Sequence, residues 1–146
     1  MIDLSTHMLE IETQGHTHII DITNKVQEIL RKEGYEEGQA LISAMGSTAG
    51  ITTLEFERGL VNFDVRNMLS KMAPYDAGYE HNRTWGDNNG AAHLRSALIG
   101  TSRTVPFQHG KLMLGSWQQI VFIDFDTRSR HRQAVVQLMG RKTKNT

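Results

Sequence analysis

Three side chains suited to acid, base or metal chemistry recur six residues apart: His81, Asp87 and His93, in the stretch HNRTWGDNNGAAH. Imidazole and carboxylate groups ligate divalent metals, and the same trio can run acid and base chemistry near neutral pH. The spacing is not a short metal signature such as HExxH, so solvated loop histidines stand as the alternative. Asp87, Asn88 and Asn89 lead into a helical run, and any of them can cap the orphan amides of its first turn. Amides left open there attract phosphate, and Arg95 follows one to two turns into the same run. A second candidate anion site is GSTAG, residues 46–50. There the Ser47 and Thr48 hydroxyls and glycine-permitted amides either form a nest or make a plain turn between strands. The Gly-Lys-Ser/Thr ending of a Walker loop is missing, which argues against nucleotide hydrolysis of that kind.

Other polar residues fall in strand contexts. Glu55 shares a strand face with Ile51 and Thr53, so its carboxylate is either at a solvent edge or in a site. Gln118 and Gln119 follow Trp117 and point to opposite faces, so one of them turns inward if the strand is central and then needs a partner. His16 and His18 share a face and either chelate or line a wet hairpin. The run RSRHR, preceded by Asp124 and Asp126 and without an aromatic ladder, reads as a solvated hairpin tip rather than an RNA grip.

The elements that must position these groups alternate without a strict βαβ rhythm. Residues 8–13 and 16–21 alternate around Gly15 and predict a hairpin. Ile22, Val26, Ile29 and Leu30 form one apolar helical face, with Gly34 as the stop. QALISAM and GITTLEF predict two strands; Val61, Val65, Met68, Leu69 and Met72 predict a helix ended by Pro74. Residues 75–88 read as a long loop and 89–99 as a helix. SRTVPF, GKLMLG, QQIVFIDF and QAVVQLM are four strand-like runs whose short connections make them mostly antiparallel neighbours. The expected class is α+β, with a mixed, mostly antiparallel, barrel-like sheet and helices packed on it.

The 146 residues make one domain by length, expected over 1–140, with RKTKNT at 141–146 as a disordered tail. Sixteen basic and sixteen acidic residues leave no field that favours nucleic acid or an anionic membrane. The absence of cysteine excludes disulfides, thiolate zinc sites and cysteine nucleophiles. With no membrane-length apolar run, and an N-terminus too polar for a signal peptide, the expected location is the cytoplasm.

GSTAGITTLEFERGLV, HNRTWGDNNGAAHLRSALIG and TVPFQHGKLMLGSWQQIVFIDFDTRSR, in that order, resemble the YjbQ-like family of small proteins, also described as secondary thiamine-phosphate synthases. The resemblance runs through nearly all of residues 1–140. It implies a barrel-like α+β fold assembled as a homotrimer. It also implies a polar pocket near a subunit boundary, built from Ser47, Thr48, Glu55, His81, Asp87, Asn88, His93, Trp117 and Gln118. Many relatives carry histidine at the position of Gly46, so a divalent metal here, Mg or Zn, would fall to His81, His93 and Asp87. In the activity implied, a pyrimidine diphosphate joins a thiazole phosphate with loss of pyrophosphate. Arg95 or backbone amides would surround the phosphates, Trp117 or Trp85 would wall the pyrimidine, and Glu55, Asp87 or His93 would assist catalysis. The alternative is a non-catalytic binder of a small phosphorylated metabolite or metal ion.

Overall fold

The computed structural model describes residues 1–144. Strands β1 (Asp3–Thr13), β3 (Tyr35–Ala44), β5 (Ser102–Gln108), β6 (Lys111–Leu112) and β8 (Arg130–Lys142) form a five-stranded sheet in the order β1-β8-β3-β5-β6. Strands β2 (His18–Asp21), β4 (Ala49–Leu54) and β7 (Gln119–Asp124) form a three-stranded sheet in the order β2-β7-β4. Every pairing among the described residues is antiparallel, and the sheets curl into a half-barrel that carries the helices. The fold is thus α+β, as the sequence pattern requires.

At one corner of the fold, three short connections between consecutive strands cross from one sheet to the other instead of forming hairpins. The hairpin expected around Gly15 is absent: β1 pairs with β8 along its whole length, and β2 pairs with β7. Gly15, His16 and Thr17 all take positive φ (75°, 54° and 64°), which swings the chain out of one sheet into the other. The segments 45–48 and 125–129 make the equivalent crossings from β3 to β4 and from β7 to β8, so DTRSRHR is a corner and not a hairpin tip. The three corners are stitched together: His16 N donates to Asp126 O at 2.6 Å and Phe125 N to Thr48 O at 2.9 Å.

This arrangement gives the three-stranded sheet two buried faces. One packs with Ile51, Ile120 and Phe122 against the larger sheet and against helix α1 (Thr23–Glu33), which contributes Val26 and Leu30. The other presents Ile19, Val121, Ile123 and Phe125 to Leu69 and Ala92 of the helical layer. Burial on both sides explains why QIVFID is a nearly unbroken apolar run. Helix α1 stops at Gly34, whose φ of 74° closes the last turn.

The helical layer differs from expectation in two places. A π-helical turn (Leu60–Asp64) precedes α2 (Val65–Met72), and the expected loop 75–88 contains a short helix, α3 (Glu80–Trp85), ahead of α4 (Gly90–Ile99). Arg141 and Lys142, expected in the tail, extend β8, and Thr143 N donates to Gly34 O at 2.8 Å. Residues 145 and 146 of that tail lie outside the described residues. No helix among the described residues is long and apolar enough to cross a membrane.

Candidate functional site

The chain between α3 and α4 reverses at Gly86 and Asn88, with φ of 69° and 57°, and so lays the start of α4 against α3. Gly90 permits this approach: a Cβ there would sit 2.7 Å from the Tyr79 Cβ. The helix is not capped by its own Asn89, as residue type predicts. Asn82 of α3 reaches across, and its Oδ1 accepts the Gly90 N–H at 2.9 Å. That frees the Asn89 side chain for a different task.

The same reversal brings His81, Asp87 and His93 together. The two imidazoles meet edge to face with centroids 4.5 Å apart, and His81 Nε2 lies 3.7 Å from Asp87 Oδ1. Between them sits the buried Asn89 carboxamide. Turned with its nitrogen toward Asp87, it donates to Oδ1 at 2.8 Å and to His81 Nε2 at 2.9 Å. In that orientation Nε2 is an acceptor. The interposed amide also keeps the donors apart. Among the described residues no three His, Asp or Glu side chains are placed to hold a metal ion together. His93 faces an open depression of about 360 Å³ shared with Ser47, Ser96, Gly100 and Thr101.

The remaining expected site residues do not share this depression within one chain. Asn88 is exposed at the turn. Arg95 is two residues beyond His93, about 200° around the helix, and turns toward α2. Glu55 and Trp117 lie past the far end of β4 from Ser47 and line a separate depression of about 380 Å³. The six residues of β4 separate the two ends by roughly 20 Å. Gln118 is exposed beside Trp117, with Nε2 donating to Thr53 Oγ1 at 3.1 Å and Oε1 accepting from Gly115 N at 3.0 Å, which pins the turn before β7. Ser47 and Glu55 are near neighbours in the sequence, but the extended strand β4 between them holds them at opposite ends.

The matching family model carries the description UPF0047 protein YjbQ-like and spans residues 7–141. The chain belongs to the YjbQ-like family. A UPF0047 protein of Archaeoglobus fulgidus is 37% identical over 131 residues, covering 90% of this chain and 98% of that protein. The UPF0047 protein YugU of Bacillus subtilis is 34% identical over 132 residues, covering 90% and 97%. A crystal structure of a YbjQ-like protein of unknown function from Sulfolobus solfataricus matches with a TM-score of 0.90 at 30% identity, covering 96% of this chain and 99% of that one.

Behind the His93 depression, this YjbQ-like chain buries a charged network that the sequence reading missed. Arg132 grips Asp124 through two bonds of 2.8 Å, from Nε and Nη2, and its Nη2 also donates to Thr48 Oγ1 at 2.6 Å. The Thr48 hydroxyl in turn donates to Asp126 Oδ2 at 3.1 Å, Arg130 donates to the same oxygen at 2.7 Å, and Thr13 donates to Asp124 at 2.5 Å. Thr48 is therefore a bridge between charges, not a free hydroxyl of an anion nest. Burial alone would raise both carboxyls. For Asp124 the Arg132 and Thr13 hydrogen bonds outweigh it, and for Asp126 the Thr127 amide and Thr48 do, so both are held below the usual carboxylate range. Gly46 leaves room for this: a Cβ there would lie 2.9 Å from Arg132 Nη1. A usable signal was present in Asp-x-Asp and Arg-x-Arg on either side of a turn, since a period of two puts each pair on one face.

Proposed function

We propose that this chain is a phosphoester-handling transferase of the secondary thiamine-phosphate synthase type, working at the His93 depression. The observation that carries this reading is the convergence of His81, Asp87 and Asn89 on His93, which lines an open hollow with Ser47. A divalent cation, Mg or Zn, would be held by Asp87 and the substrate's diphosphate oxygens, since the Asn89 amide already occupies His81 Nε2. One carboxylate plus phosphate oxygens suits Mg in particular. When bound, it would neutralise charge on the leaving group. The thiazole nitrogen attacks the pyrimidine's methylene carbon as the carbon–oxygen bond to the diphosphate breaks, and pyrophosphate departs with that electron pair. His93, with no side-chain hydrogen bond in the described residues, is free to protonate the departing oxyanion. Ser47 orients a phosphate oxygen.

The alternative, a binder of a small phosphorylated metabolite, is favoured by the position of Trp117 and Glu55 beyond the far end of β4. In the proposed homotrimer a neighbouring copy brings such groups to the hollow. Leu94 and Leu98, both 51% exposed on α4 beside His93, supply apolar surface for that contact. The test is thiamine-phosphate formation and diphosphate affinity in wild type and His93→Ala, with mass by light scattering. Lost turnover with retained affinity supports catalysis. Loss of both in an intact trimer leaves the binder, and unchanged turnover removes His93 from the chemistry.

A further inference from the structure

On the side of α4 away from His93, Arg95 is 2% exposed, yet no carboxylate meets it. Its Nε donates to Ala73 O at 2.9 Å, its Nη1 to Thr17 Oγ1 at 2.8 Å, and its guanidinium lies 4.1 Å from the Tyr75 ring centroid. Its Nη2 has no protein partner among the described residues. Tyr75 is itself fixed, its hydroxyl donating to Phe125 O at 2.7 Å. Opposite stands a second guanidinium, Arg66 of α2, held by the His16 carbonyl at 2.5 Å. Arg66, Arg95, Tyr75, Asn67 and Ser70 line a cavity of about 220 Å³ with no acidic residue in its wall. Neither arginine joins an ion pair among the described residues.

Two guanidiniums facing one small cavity without a counter-charge are an arrangement that an oxyanion completes. Each presents a planar fork that matches phosphate oxygens, Arg95 from a buried position and Arg66 from a half-exposed one. Burial also pulls the Arg95 guanidinium below its usual range, and the like charge of Arg66 adds to this, so an anion here relieves a strain the protein leaves standing. We propose that this cavity is an anion site for one phosphate group, either inorganic phosphate or the terminus of a phosphomonoester, separate from the His93 hollow and independent of any synthase activity there. The cavity shares no lining residue with that hollow.

Thermal melts of the full chain in inorganic phosphate, against sodium chloride at matched ionic strength, test the proposal. Phosphate is expected to raise Tm in wild type and equally in His93→Ala. Arg66→Gln, at a half-exposed position that tolerates change, is expected to weaken phosphate binding on the order of tenfold or more. Arg95→Lys is expected to do the same while retaining a cation. Methyl phosphate distinguishes the sources. An equal shift means that the site takes a phosphomonoester, and a shift with inorganic phosphate alone means that it closes around the free anion. No rise beyond the chloride control overturns the proposal, as does a rise that survives Arg66→Gln. A rise lost in His93→Ala would assign the anion to the hollow instead, a result that leaves the proposed function standing.

Discussion

Arg132 and Arg95 are both buried arginines, 5% and 2% exposed, and the protein treats them in opposite ways. Arg132 sits at the corner where three chain segments change sheets, gripped by Asp124 and close to Asp126, with every neighbouring hydroxyl engaged. Arg95 sits between helices and touches only neutral groups and an aromatic face. A buried charge with opposite charges around it is a structural fastening, because removing either side strands the other. A buried charge met only by carbonyl, hydroxyl and ring has binding capacity left over.

The largest effect that can break this contrast is at the corner. Arg132→Met leaves the buried Asp124 carboxylate without its cation, while Asp126 keeps Arg130, and should cost about 3–5 kcal/mol in urea unfolding. A loss near 1 kcal/mol would mean that the corner is not a fastening. Acid should then dissolve the same corner. Both folded carboxyls lie below their unfolded range of about 4, so their contribution is full above that pH and fades as pH falls through the folded values. Stability measured from pH 6 to pH 2 should drop on the acid side in wild type, with a shallower slope in an Asp124→Asn variant. Arg95→Met strands only neutral acceptors, so it should cost less, about 1–3 kcal/mol, and leave the acid slope unchanged. Asn82→Ala removes the cap that α3 lends to α4 and should cost about 1 kcal/mol by thermal melt. Smallest of all, His93→Ala should move stability by no more than about 0.5 kcal/mol, since its half-exposed ring makes no side-chain hydrogen bond, whatever it does to ligand binding.

Much of the fold was legible where burial writes directly into residue type. The apolar face of α1 with Gly34 at its end, and the unbroken QIVFID of a strand covered on both sides, are cases where local pattern and final environment agree. Gly15 misled because a glycine between alternating runs marks a turn without saying which sheet the next strand joins. Three successive left-handed residues, two of them not glycine, are the feature that decided it. The site was legible in part. His81, Asp87 and His93 do meet, while Thr48 proved to be fastened between charges and Arg95 faces away from them. Asn89 looked like a cap by type, and its side chain serves the histidine instead.

The sequence by itself determined the α+β class, the helices that need an apolar stripe, the family resemblance and the cluster of ionisable groups around the 81–93 segment. These depend on periodicity and on neighbours along the chain, which short-range sterics and burial enforce. Tertiary structure alone decided which carboxylates meet which guanidinium, that Glu55 and Trp117 lie a strand's length from His93, and that Arg95 opens on a cavity of its own. Those relations join residues as far apart as Thr13 and Asp124 or Arg66 and Arg95, and they are set by which sheet each strand enters and which face of α4 each side chain occupies.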